Sequence, residues 1–203
     1  MNTDALMDTL TALVRGSRQA DCQPWHAAAL RAWEKQHVQM IPSRDGTALY
    51  LARFWLTPPT RVGCDDGAPF ESGSSVLLHY FARGDDDGSL HTHPWAFSTD
   101  VLSGGYTERR PPKWWRDYHE NPYGAPKALG ITLAACDTLI RRAGDPRQHR
   151  QASSEHAVED VLPDTWTLMV TGPRTQSWWF HPPYDEAVPW RDFLAEKRQQ
   201  VAL

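Results

Sequence analysis

Residues 79–108 read HYFARGDDDGSLHTHPWAFSTDVLSGGYTE. A Gly/Asp turn precedes His91-Thr92-His93, an apolar run leads from Trp95 to Leu102, and Gly104 with Gly105 makes a second turn. Side chains on a strand alternate between two faces, so residues two apart share a face. On a strand spanning 90–102, His91 and His93 point the same way, and two imidazoles on one rigid strand supply half of a metal's coordination sphere. Neutral histidines also sit in polar barrel interiors with ordinary hydrogen-bond partners, so the pair by itself leaves both readings open.

Outward from this stretch, short runs of β-type residues recur at 48–56, 75–83, 106–109, 131–135, 138–142, 166–171 and 177–181, divided by Gly, Pro and Asp clusters. No helical run separates them as a doubly wound sheet requires. The pattern predicts an all-β body, an antiparallel barrel or two-sheet sandwich over 41–183. Ahead of it, Leu6, Met7, Leu10, Leu13 and Val14 repeat at helical spacing, as do Ala28, Leu30, Ala32 and Trp33. Residues 1–40 are thus a helical extension, and the sequence leaves open whether it packs on the barrel or mediates a homodimer. Residues 184–203 read as a tail closing in a short helix. Of two long connections, 57–74 is a surface excursion. The other, 110–127, is aromatic and basic; it is expected to lack regular structure and to be either a mobile cover bordering the mouth of a pocket or a surface loop pinned by its own aromatics.

A second histidine-bearing segment, GDPRQHRQASSEHAVED at 144–160, precedes another apolar strand. Together with H-x-H-P-W-x-F and its Gly-Gly-Tyr turn, it resembles the paired motifs of the cupin superfamily, and the resemblance spans about 75–181. It implies a cupin-like antiparallel jelly roll holding one divalent metal ion on His91, His93 and His156. Where cupins usually carry a glutamate ligand, this chain has Phe97 and Ser98; Ser98 or Asp100 are candidates for that slot, and His149 competes with His156 as third ligand. Thiol dioxygenases of the superfamily use a three-histidine iron site. The resemblance therefore implies a mononuclear non-haem Fe(II) dioxygenase, an oxidoreductase, with Zn, Ni or Mn as the other candidate ions. Two further readings stand beside it: a non-catalytic binding or sensing module, and a metal-dependent isomerase or epimerase.

Candidate ligand contacts come from neighbouring strands. Alternation places His79, Phe81 and Arg83 on one face, where Arg83 either holds a substrate carboxylate in a bidentate pair or pairs with the acidic turn at 85–87. Trp95 and Tyr106, with Trp178 and His181, are expected along the pocket. Glu108, Arg109 and Arg110 end a strand and are expected to face solvent.

Composition bounds the rest. A chain of 203 residues, 40% hydrophobic and 23% charged, suits one folded domain with terminal additions. A net charge of −4 without a Lys/Arg block argues against nucleic acid. Cys22, Cys64 and Cys136 form no C-x-x-C pair and suggest neither a disulfide framework nor a thiolate zinc site, which fits the cytoplasm. No stretch approaches the roughly 18 apolar residues of a membrane span. Neither a G-x-S-x-G elbow nor a phosphate-binding glycine loop is present, so the expected partner is a small molecule met at the histidines. The ten tryptophans are expected mainly in the core.

Overall fold

The computed structural model describes residues 2–16, 18–43, 46–58, 60–62, 70–85, 88–119, 130–190 and 192–193. Helix α1 (Thr3–Arg15) starts where the Asn2 side chain accepts the Ala5 N–H at 2.8 Å. Helix α2 (Pro24–Glu34) opens with reciprocal bonds between Gln23 and His26, and its Pro24 occupies the first turn, where a missing N–H costs nothing. Fourteen strands follow among the described residues: β1 (Val38–Pro42), β2 (Leu49–Thr57), β3 (Thr60–Val62), β4 (Phe70–Ser72), β5 (Ser75–Phe81), β6 (Leu90–His91) and β7 (Trp95–Ser103) come first. Then come β8 (Gly105–Arg110), helix α3 (Lys113–His119), β9 (Asp137–Arg142), β10 (Gln148–Arg150), β11 (Ala157–Glu159), β12 (Thr165–Arg174), β13 (Trp179–His181) and β14 (Val188–Pro189).

The main sheet runs β1-β2-β5-β12-β7-β10, and the smaller sheets β11-β8-β9 and β14-β13-β6 supply the other wall; every pair of these strands is antiparallel. The fold is a cupin-like two-sheet β-barrel. One face of the main sheet takes the helices: Leu6, Leu10, Ala29 and Ala32 pack on Ala52, Phe54, Leu78, Tyr80 and Trp166. The helical extension therefore lies against the barrel, one of the two arrangements open at the level of sequence. The other face carries Leu77, Phe97 and Met169, and beside them the histidines. Gly104 holds the β7–β8 turn at φ +63°, a left-handed conformation, and a Cβ there would collide with Thr165.

Several sequence expectations change in detail. The strand expected at 90–102 is two strands: the proline after His93 has no N–H to give a ladder, and pairing resumes at Trp95. His93 thus follows a strand rather than lying in one. The strand expected to reach residue 83 stops at Phe81, and 133–135 is a 3-10 turn, not a strand. The connection at 110–127 contains α3, and the excursion at 57–74 contains the β3–β4 hairpin. Residues 63–69 and 120–129 lie outside the described residues, as does most of the expected closing helix; Trp190, Asp192 and Phe193 are helical, and Phe193 stacks on Phe180 at 4.2 Å. Among the described residues no helix is long and apolar enough to cross a membrane.

Candidate metal centre

β6 and β11 meet at their ends, where His91 and His156 exchange backbone hydrogen bonds of 2.8 and 3.0 Å. That bridge brings His156 against the H-x-H pair from 63 residues beyond His93. His93 stays in register because its N–H donates to Ala152 O at 3.1 Å, and Gln176 Nε2 donates to its carbonyl at 2.9 Å. Thr92 between them points to the opposite side, its hydroxyl accepting the Trp179 N–H at 3.1 Å. Alternation thus survives the break in the strand.

One ring nitrogen from each of His91, His93 and His156 lies within 4.8 Å of the others. His93 Nε2 and His156 Nε2 are 2.8 Å apart. Two nitrogens bound at about 2.1 Å and at right angles around an ion would be about 3.0 Å apart, close to the His93–His156 spacing. The His91 and His93 rings are buried, and the His156 side chain is 12% exposed. Desolvation first, and then the neighbouring histidines and the Arg53 guanidinium, hold His91 and His93 well below the ordinary imidazole value. They are neutral at pH 7, the state in which imidazole ligates.

Behind two of the rings stands a carboxylate. Glu108 Oε1 accepts from His156 Nδ1 at 3.0 Å, which turns His156 Nε2 toward the centre. Glu108 is itself gripped by Arg150, whose Nη2 reaches its two oxygens at 3.2 and 3.0 Å. Burial pushes the Glu108 carboxyl up, but His156 and Arg150 outweigh it and hold it down at about 2. Asp85 Oδ2 lies 3.6 Å from His91 Nδ1; the same oxygen accepts the Val158 N–H at 2.7 Å, while Tyr50 donates to the other oxygen. Glu108 orients His156, Asp85 stands beside His91 beyond hydrogen-bond distance, and neither is part of the converging triad.

The triad opens on a cavity of about 80 Å³ lined by Tyr50, Arg53, His79, Phe97, Tyr106 and Met169 among others. His79 and Tyr106 therefore face it as read from sequence, and Trp178 does too. Burial, then Arg53, keeps His79 well below its usual range; burial, then Glu108, pushes the Tyr106 phenol up to about 12.

Other expectations are corrected. Arg83 is exposed beyond the end of β5 and lies on an outer groove with Arg109 and Glu159. The guanidiniums along the cavity are those of Arg53, on β2, and Arg150, which is paired with Glu108. Trp95 packs against the Leu77, Phe97 and Met169 cluster and does not line the cavity. Ser98, Asp100 and His149 lie on the outer side of β7: Ser98 bonds His149 at 2.7 Å, and Asp100 holds Arg147 in a bidentate pair. None of the three reaches the triad, so the glutamate slot of the cupin pattern is not filled from β7. Glu108, expected to face solvent, is 3% exposed. Its signal was available, since Glu108 is two residues from Tyr106 on one strand and shares its face. Arg53 had a comparable signal, a charge in the otherwise apolar run Leu49-Tyr50-Leu51-Ala52-Arg53-Phe54.

Three histidines converging inside an antiparallel two-sheet barrel define the class: a cupin-like barrel with a candidate metal centre. Within that class, the converging group is three histidines, with no carboxylate among the described residues joining it. No protein-family model matches the sequence, and no curated protein matches it. Solved structures similar to it include the Streptomyces protein PAC13 with uridine, at 6% identity over 70% of this chain and 80% of that one, with a TM-score of 0.38. An RmlC-like cupin from Shewanella frigidimarina shares 12% identity over 62% of this chain and 78% of that one, with a TM-score of 0.32. Recombinant oxalate oxidase in complex with glycolate shares 13% over 68% of this chain, which spans only 58% of that one, with a TM-score of 0.38. At such scores the likeness carries no weight of its own, and the class rests on strand pairing and the triad.

Proposed function

We propose that the protein binds one divalent metal ion through His91, His93 and His156 and works as a mononuclear non-haem iron dioxygenase on a small anionic molecule. The observation that carries this reading is the convergence of three imidazoles, those of His91 and His93 buried and neutral, with carboxylates behind two of the rings. A divalent ion on three neutral ligands keeps its full double charge, and as Fe(II) it supplies open positions for an anion and for dioxygen.

The chain's own residues determine what can approach. Arg53 faces the cavity with a permanent charge, and its guanidinium lies 5.8 Å from the centre of the Trp178 ring. It would hold a carboxylate or similar group beside the histidines. Tyr106 stays protonated and can donate a hydrogen bond to an oxygen on that molecule. At about 80 Å³ the cavity is far smaller than the roughly 300–1,000 Å³ of drug-sized pockets, which limits a ligand to a few heavy atoms. Phe81, Phe97 and Met169 exclude water from the same space.

Elemental analysis of protein purified without added metal, followed by oxygen-uptake assays of the Fe(II)-loaded protein with small carboxylates and thiols, tests the reading. Iron at one per chain with ligand-dependent oxygen consumption is the expected result. Zinc or nickel without oxygen uptake moves the function to an isomerase, an epimerase or a binding module.

A further inference from the structure

The described residues of the connection, 110–119, do not line the histidine cavity. Arg110, Pro111, Trp115 and Arg116 line a separate cleft of about 520 Å³, and no residue lines both spaces. The H-x-H segment is the partition: His91 and His93 face the cavity, Thr92 faces the cleft, and Gln176 seals the boundary by donating to His93 O and Ala152 O at 2.9 Å each.

Charge in this cleft is arranged unevenly. On β8, Arg109 turns outward to pair with Glu159 at 2.6 Å, and Arg110 faces the other way into the cleft. Arg110 Nε is buried with no hydrogen-bond partner in the structure. A buried donor on a permanent cation is costly to leave unmade and marks a place where an acceptor belongs. Burial lowers the Arg110 pKa, and the guanidiniums of Arg150 and Arg116 lower it further against the opposing pull of Glu108 and Asp137. The Arg150 charge is already committed to Glu108. Arg116 donates to Pro111 O at 2.6 Å, a neutral acceptor, and makes no ion pair among the described residues. Two carboxylates also line the cleft, Glu155 and Glu186; Glu155 lies 3.4 Å from His181, and burial, against a hydrogen bond from Trp115, pushes its carboxyl up to about 7. Ser153, Ser154 and Thr92 add hydroxyls to the lining, and Trp115 and Trp179 add aromatic surface.

We propose that this cleft is a second ligand site, distinct from the histidine centre, that takes a small organic anion: its carboxylate or phosphate group sits between Arg110 and Arg116, and a planar body lies along Trp115 and Trp179. Guanidinium forks match the planar geometry of such groups. The volume is that of an ordinary small-molecule pocket, several times that of the cavity beside the triad. The site stands independently of the metal reading.

Tryptophan fluorescence titrated with inorganic phosphate and, separately, with benzoate on the full-length protein tests this. Saturable quenching by at least one probe is expected, weakened about tenfold or more in both Arg110→Gln and Arg116→Gln, in keeping with the loss of a charge-assisted bond. Arg116 is half-buried at the surface, so its variant keeps the test usable if Arg110→Gln fails to fold. His91→Ala and Arg53→Gln should leave the affinity unchanged. Stronger response to phosphate than to benzoate identifies the anionic group as phosphate, and the reverse identifies a carboxylate. Absence of saturable quenching by either probe, quenching that survives both arginine changes, or quenching abolished by His91→Ala or Arg53→Gln overturns the proposal.

Discussion

The two faces of the main sheet are built from the same strands and for opposite purposes. On the helix side, alternate residues of β2, β5 and β12 present Phe54, Leu78, Tyr80 and Trp166 to α1 and α2. On the inner side, the intervening positions present Arg53, His79 and Thr167 next to Leu51 and Met169. The first face gains from removing apolar area from water, at roughly 25 cal/mol per Å². The second buries polar groups that cost free energy unless a partner satisfies them. A single strand such as β5, Ser-Val-Leu-Leu-His-Tyr-Phe, thus contributes to stability with one set of side chains and to a site with the other.

Breaking the helix-side face should have the largest effect. Trp166 is 1% exposed, donates Nε1–H to Asp164 Oδ1 at 3.0 Å, and touches Phe54, Tyr80 and His26 with its ring. Trp166→Ala should destabilise the protein by about 3–5 kcal/mol, read as a shift in the denaturant midpoint. Metal content per folded molecule should stay the same, because no triad residue touches that ring in the structure. A loss of metal from the folded fraction would mean that the two faces are not separable.

A smaller effect is expected from Glu108→Gln on the inner side. The change keeps the shape but removes the charge that orients His156 and compensates Arg150. Metal affinity should fall about 10- to 100-fold, measured by competition with a chelator. Unchanged affinity would show that His156 is positioned by the β6–β11 bridge alone.

The same comparison was only partly legible in the sequence. The helix-side face follows from helical spacing in α1 and α2 and from the β-type runs, and the histidine face from H-x-H with a later histidine. Glu108 and Arg53 shared a face with residues already assigned to the pocket, and charge alone made a solvent-facing position the default reading. Asp85 was beyond reach: in the run Gly-Asp-Asp-Asp-Gly nothing distinguishes the aspartate that turns in to His91 from its neighbours. Arg83 was misplaced because the end of β5 at Phe81 decides which arginine is inside, and strand ends carry the weakest local signal.

A subtler effect is the pH dependence of the metal-free protein. His79, His91 and His93 are held well below the unfolded value of about 6.5 chiefly by burial. Below that value the unfolded chain binds protons that the folded one refuses, so stability falls as pH drops through 6.5 and toward the folded values. Denaturant midpoints for the metal-free protein should therefore be lower at pH 5.5 than at pH 7.5. Replacing His79 by Leu should reduce that difference, and an undiminished difference would place its origin elsewhere, for instance at His26 on the helix side, which burial also lowers.

The central claim is tested most directly by metal stoichiometry across the histidines. Protein purified without added metal, and then re-equilibrated with Fe(II) or Zn(II), should hold one ion per chain. His91→Ala, His93→Ala and His156→Ala should each lose most of it while remaining folded by circular dichroism. His149→Ala, whose ring bonds Ser98 on the outer side of β7, should retain the full complement. A wild-type protein that takes up no ion, or a set of folded triad variants that bind it as well as wild type does, would contradict the account.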